Sequence, residues 1–223
     1  MAIKNRCSTS ECLYYGGKYG NEALIDEFLI QSNVGTINTY MSLLNGLVET
    51  NKNSITAHLL HAIKVITNNP KRKYDTSKLY REVSRHAGYG GNLSALKLLG
   101  DDLDKGQAFL GAAEAGHIGI TRELFNSLKS DPDVNDLFIE VSKNVGCRGD
   151  QEAINNLIQL GVIDISMAQY SAARCGNYKI LYYLIDNNIF DSVDCNEVVD
   201  MLQSKNNEVS IDIIKRIRSK YNC

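Results

Sequence analysis

Ala172-Ala-Arg-Cys-Gly-Asn177-Tyr-Lys-Ile-Leu-Tyr-Tyr-Leu-Ile185 runs from small residues through a Gly-Asn turn into an apolar pattern. Ile180, Leu181, Leu184 and Ile185 stand three, four, seven and eight positions after Asn177, the spacing of one helical face. A Gly at the turn makes a left-handed backbone cheap, and Ala172-Ala173 let two helices approach closely. The stretch therefore predicts a helix, a tight turn and a second helix of about ten residues.

The same grammar recurs along the chain. Gly20-Asn21, Gly91-Asn92, Gly116-His117 and Gly149-Asp150 each open an amphipathic segment, with weaker copies at Lys52-Asn53 and Asn206-Asn207. Small residues often precede the turn: Gly16-Gly17, Ala87-Gly88, Ala112-Ala113 and Val145-Gly146. Anchors at 21, 53, 92, 117, 150, 177 and 206 are separated by 32, 39, 25, 33, 27 and 29 residues. Pro70 and Pro132 both fall between units, where they break no helix. The expected architecture is all-α, a helical solenoid of about seven short helix-turn-helix repeats filling residues 1–223 as one repeat domain.

Composition narrows the function. With 223 residues, 43% of them apolar, the chain can bury a continuous core. Its 24 Lys plus Arg against 26 Asp plus Glu give a net charge of -2, which offers no bulk attraction to polyanions or anionic membranes. No apolar run reaches the roughly 18 residues of a membrane span, and Met1-Ala-Ile-Lys-Asn-Arg-Cys7 is no signal peptide. A cytoplasmic protein without membrane contact is expected. Six cysteines, at 7, 12, 147, 175, 195 and 223, look too scattered for a disulfide framework and are expected to be thiols of a reducing compartment. The 22 Asn residues hint at an AT-rich genome and carry no chemistry.

Ala112-Ala-Glu-Ala-Gly-His117-Ile-Gly-Ile-Thr-Arg-Glu-Leu-Phe125 and the stretch 172–185 resemble the central part of ankyrin repeats, Ala-Ala-x-x-Gly-His followed by an apolar helix. The other units resemble it more loosely, and the Thr-Pro-Leu-His start of ordinary ankyrin repeats is missing throughout. The short periods leave little room for the family's long hairpin loops. The drift is similar to that of divergent ankyrin proteins of large DNA viruses and some intracellular bacteria. For His117 the resemblance implies a structural role, a ring nitrogen bonding backbone between repeats. Tetratricopeptide and HEAT-like arrays are the physical alternative, although no Trp, Leu-Gly and Tyr pattern is present.

No catalytic or metal constellation stands out. His58 and His61 lie at i and i+3 on an expected helix, without further ligands nearby. His86-Ala-Gly-Tyr-Gly-Gly-Asn92 is Gly-rich, but it lacks the preceding strand and the Lys-Ser or Lys-Thr of a phosphate loop. Asp101-Asp102-Leu-Asp104 lacks the Gly and the distant Glu of a calcium loop. A non-enzymatic protein without cofactor or metal is expected.

A solenoid presents equivalent positions of successive units on one concave surface, suited to gripping a protein. The ankyrin resemblance places the two residues before each Gly-His turn on that surface: Lys18-Tyr19, Thr50-Asn51, Tyr89-Gly90, Glu114-Ala115, Cys147-Arg148, Arg174-Cys175 and Gln203-Ser204. Lys18, Tyr19, Tyr89, Glu114, Arg148 and Arg174 are the candidate contacts, a mildly basic, Tyr-studded row that favours an acidic segment of a partner protein. A host-directed adaptor or decoy is the extension if the source is viral. A second class of function is nucleic-acid binding through the basic stretch 71–85, with Lys71, Arg72, Lys73, Arg81 and Arg85 as phosphate contacts and Tyr74 and Tyr80 interleaved. A third is a structural subunit stacking end to end, since the first unit begins within a dozen residues of Met1.

Overall fold

The structure is a computed structural model and describes residues 8–21, 23–25, 27, 37–48, 62–63, 75–149, 151–221 and 223, with the side chains of 37–41 and 48 left aside. The described residues form helices and connecting turns, with no strand among them. In chain order the helices are α1 (Thr9–Tyr19), α2 (Ile37–Val48), α3 (Thr76–Tyr89), α4 (Leu93–Leu99), α5 (Lys105–Glu114) and α6 (Ile118–Leu128). They continue as α7 (Val134–Arg148), α8 (Gln151–Leu160), α9 (Ile165–Cys175), α10 (Tyr178–Asp186), α11 (Cys195–Lys205) and α12 (Glu208–Tyr221). The chain divides into two compact units, Met1–Ala112 and Ala113–Cys223.

Local chemistry fixes the helix ends. Ser8 and Glu11 form a capping box on α1, the Glu11 N–H donating to Ser8 Oγ at 3.3 Å and the Ser8 N–H to Glu11 Oε2 at 2.9 Å. Asp75, Asp104 and Asp164 accept the N–H groups of Ser77, Gln107 and Met167 at 3.0, 2.9 and 2.9 Å. Acidic caps thus satisfy orphan N–H groups of first helices that carry no Thr-Pro-Leu-His start. Turns fall at the anchors read from the sequence: Gly20, Gly91, Gly116, Gly176 and Asn206 adopt φ of 61°, 65°, 77°, 77° and 44°. Gly149 departs from the pattern, with φ -68° and ψ 170°. It is small for another reason, because a Cβ there would lie 2.6 Å from the Val145 carbonyl oxygen. The weak anchor Asn53, the anchor Asp150 and His58 and His61 lie outside the described residues.

In the first unit, small residues bring helix backbones into contact. A Cβ on Gly17 of α1 would sit 2.8 Å from the Leu47 nitrogen of α2, and one on Gly46 of α2 would overlap the Tyr14 carbonyl of α1. The relation repeats between α3 and α5. A Cβ on Gly88 would overlap the Ala108 carbonyl, and one on Gly111 the Arg85 carbonyl. Around these crossings Leu13, Leu43, Leu44, Leu79, Val83 and Phe109 are fully buried.

The second unit repeats the device. A Cβ on Gly146 of α7 would overlap the Ala168 carbonyl of α9, and Ala172 and Ala173 are fully buried. Ile154, Leu157, Ile180, Leu181 and Leu184 are buried as the helical spacing predicts.

A second periodic feature is polar. Ser84, Ser142 and Gln169 are fully buried and stand eight residues before Asn92, Asp150 and Asn177. Each accepts a backbone N–H from the loop that follows its own hairpin: Asp104 to Ser84 Oγ at 3.0 Å, Asp164 to Ser142 Oγ at 2.8 Å, and Asp191 to Gln169 Oε1 at 2.9 Å. Gln169 Nε2 also donates to the Asp191 carbonyl at 2.8 Å. A buried polar side chain placed this way satisfies loop backbone that would otherwise lose its water.

The cysteine expectation needs correction. Cys147 and Cys175 form a disulfide with a Cα–Cα distance of 5.2 Å, and Cys195 and Cys223 form another at 6.0 Å. Both pairs are 28 residues apart in sequence. Cysteines that look scattered along the chain become neighbours because packing places α9 beside α7 and returns α12 along α11. Loops of that length give each cross-link about 3–4 kcal/mol in the chain-entropy account. The free-thiol argument for a reducing compartment loses its ground. No described helix is long and apolar enough to cross a membrane.

Gly88→Ala forces a methyl into the Ala108 backbone and is expected to destabilise the protein by about 3 kcal/mol or more. Gly119→Ala in α6, where a Cβ meets nothing within 4 Å, should instead stabilise it by about 0.5–1 kcal/mol. Urea unfolding of the two variants checks both signs.

Candidate interaction surface

Thr50-Asn51 lie outside the described residues, and the other pairs before the turns sit at the ends of α1, α3, α5, α7, α9 and α11. In the first unit Tyr19 is 65% and Tyr89 48% exposed. Tyr19 stacks on Tyr15, ring centroids 6.1 Å apart and nearly parallel, as residues four apart on a helix can. Lys18 is partly buried, its Nζ donating to Tyr14 Oη at 3.2 Å and lying 5.4 Å from that ring. Tyr19 and Tyr89 therefore offer open aromatic surface, while Lys18 is engaged within its own helix.

In the second unit the candidates play different parts. Arg148 ends α7 with its side chain 75% exposed, whereas the Glu114 side chain is 5% exposed and pairs with Arg148 Nη1 at 3.6 Å. Glu114 is thus a buried acid paired with an exposed arginine, an arrangement that spacing does not encode. Arg174 is exposed on the last turn of α9, and its carbonyl accepts a hydrogen bond from Lys205 Nζ at 2.9 Å. Cys147 and Cys175, the other halves of these two pairs, are cross-linked.

Open clefts flank the cross-link, and both disulfide cysteines line each of them. One, of about 890 Å³, is lined by Arg148, Gln151, Glu152, Asn155, Asn177 and Lys179. The other, of about 610 Å³, is lined by Lys143, Tyr170, Arg174, Asp194 and Glu197. The floor of the first is fixed by Asn177, whose Nδ2 donates to the carbonyls of Gly146 and Gly149 at 3.1 Å each. One turn back in the chain, Asn156 Nδ2 donates to the Gly116 carbonyl at 3.1 Å. Asn amides thus bridge consecutive hairpins, and His117 caps α6 without a side-chain bond to its first turn. Lys143 and Lys179 join the surface although nothing in their spacing marks them, since a single Lys on an exposed helical position is ordinary.

The basic stretch fares differently. Lys71, Arg72, Lys73 and Tyr74 lie outside the described residues. Arg81 lies 3.8 Å from Asp104, and Arg85 Nη1 donates to Gln107 Oε1 at 3.5 Å. Lys78 lies 4.0 Å from Glu82. Burial, then the Asp102 charge and hydrogen bond, push the Tyr80 phenol above its ordinary value. The cations of α3 are thus met by Glu82 on the same helix and by Asp104 and Gln107 from farther along the chain.

The basic end of α12 packs on α10. Arg216 donates to Asp212 at 2.9 Å and to Asp186 at 3.3 Å, with its guanidinium 4.9 Å from the centre of the Tyr182 ring. Tyr182 Oη donates to Asp212 at 2.9 Å. That bond, and after it the Arg216 bond, hold the Asp212 carboxyl below the ordinary aspartate value. Lys220 reaches the Ile185 carbonyl. Arg216 and Lys220 are thus occupied in docking the last helix on α10. Among the described residues no three His, Cys, Asp or Glu side chains gather as metal ligands. Comparison with family models, with curated proteins and with solved structures finds no match for the chain.

Asn177→Ala removes both amide donors from the Gly146 and Gly149 carbonyls and is expected to cost about 1–3 kcal/mol in urea unfolding. For Asp212 the pKa is depressed on folding, so its contribution is present above the unfolded value and is lost as pH falls through the folded one. In a carboxylate NMR titration Asp212 should titrate below 3.8, and Tyr182→Phe should move its midpoint upward.

Proposed function

We propose that the chain is a non-enzymatic protein-interaction module, and that its second unit grips an acidic segment of a partner protein through Arg148 and Arg174. The observation that carries this reading is their placement. Two exposed guanidinium side chains end adjacent helices, each next in sequence to one cysteine of a cross-link, and open clefts of about 890 and 610 Å³ adjoin them. Glu114 holds Arg148 in a set direction, so less rotamer entropy is lost on binding. Arg suits such a seat because its planar fork meets a carboxylate in two parallel hydrogen bonds. Tyr19 and Tyr89 supply a second, aromatic contact area in the first unit. The likeness of 112–125 and 172–185 to ankyrin repeats supports the same class of function, with a host-directed adaptor or decoy as its extension.

The test is affinity capture of the tagged full chain at low and moderately high salt, beside Arg148→Glu/Arg174→Glu. A stoichiometric protein retained in high salt by the wild type, and lost by the double variant with its helical circular dichroism unchanged, is the expected result. Equal capture by the variant would refute the assigned face. Nucleic acid alone, released as salt rises, would move the function to the basic stretch 71–85.

A further inference from the structure

We propose that the Cys147–Cys175 disulfide is a reducible clasp on the interaction surface, opened by a dithiol reductant while Cys195–Cys223 stays closed. The proposal rests on the reading of Arg148 and Arg174 as the partner seat, whose regulation it specifies. The two disulfides close loops of equal sequence separation, 28 residues, so loop entropy does not distinguish them. Access does. Cys175 is exposed, Cys147 is partly buried, and open clefts adjoin their bond on two sides. Cys195 is only 4% exposed at the start of α11, and Cys223 is partly buried. Thiol–disulfide exchange needs a thiolate to reach a sulfur directly, and the first pair, with one exposed cysteine and clefts on two sides, offers the wider approach.

Lys143, Arg148, Arg174 and Lys179 line the clefts beside the clasp together with Glu152, Asp194 and Glu197. The four cations outnumber the three acids there, and cations near a sulfur stabilise an attacking or departing thiolate. One thiolate of the reductant attacks Cys175 Sγ. The S–S bond breaks, its electron pair leaves on Cys147 Sγ, and that sulfur takes a proton. The second thiol of the reductant then attacks the mixed disulfide and releases Cys175 as a thiol. Two electrons and two protons reach the protein, and the dithiol becomes a cyclic disulfide.

Opening the clasp is local. The contact of Gly146 with Ala168 and the Asn177 bonds to Gly146 and Gly149 hold α7, α9 and their turn without the cross-link. What is released is the last turn of each helix, the turns that carry Arg148 and Arg174. The clasp thus fixes the spacing of the two guanidinium groups without being needed for the fold.

The native full chain is treated with dithiothreitol, quenched in acid at intervals, alkylated and mapped by mass spectrometry. Backbone hydrogen exchange and binding of a labelled octaglutamate peptide are followed in the same samples. Expected are labelling of Cys147 and Cys175 at least about tenfold faster than of Cys195 and Cys223, faster exchange confined to the ends of α7 and α9, and weakened peptide binding that returns on reoxidation. Cys147→Ser/Cys175→Ser should match the reduced wild type. Equal labelling rates for the two pairs, labelling only after denaturation, or labelling of Cys147 and Cys175 before any reductant is added would overturn the clasp. Equal peptide affinity in both states overturns its regulatory role. Failure of the oxidised wild type to bind the peptide counts against the partner seat, and with it against regulation of that seat, whatever the labelling shows.

Discussion

The close approach of first-helix backbones at glycine is the contact on which the rest of this structure depends. At Gly17 and Gly46, Gly88 and Gly111, and Gly146, hydrogen stands where any side chain would meet a neighbouring carbonyl or amide. Helix axes brought together this closely leave no room for large residues at the crossing, so Leu13, Val83 and Phe109 pack around it. The packing follows from steric permission: the sequence withholds a Cβ, and apolar burial supplies the drive.

Such a contact fixes the distance between two helices but leaves the loops that join hairpins unsupported. Ser84, Ser142 and Gln169 answer that need from inside the core, each holding the N–H of an Asp about twenty residues downstream. At Asp104 and Asp164 the same residue then accepts an N–H from the next helix with its side chain. One loop Asp is therefore held at its backbone by the preceding hairpin and caps the following one. These residues thus tie each loop to the hairpins on either side of it.

The surface inherits this order. The ends of α7 and α9 lie side by side, so Cys147 meets Cys175 although the two stand one position apart in their hairpins, and Arg148 and Arg174 adjoin their cross-link in sequence. Glu114 shows the limit of positional equivalence. Tyr89, Arg148 and Arg174 in the same row are exposed, whereas Glu114 is buried with Arg148 within reach. The basic face of α3 shows the same limit, because Asp104 and Gln107, far along the chain, are the groups that engage Arg81 and Arg85.

Amino-acid order alone determined the helical hairpins. The turn glycines, the Asn anchors and the apolar residues at 180, 181, 184 and 185 act over fewer than ten residues, and local backbone preference and helical period express them directly. The small residues before each turn likewise announced close packing. Tertiary structure alone decided which cysteines pair, which candidate cations are occupied and where clefts open. Those outcomes depend on residues brought together from 20 to 40 positions apart, and on whether a side chain keeps its water, which no local spacing encodes. Gly149 marks the boundary between the two: its place in the repeat was legible, but its extended backbone, and the Val145 carbonyl that forbids a Cβ there, appear only in the folded chain.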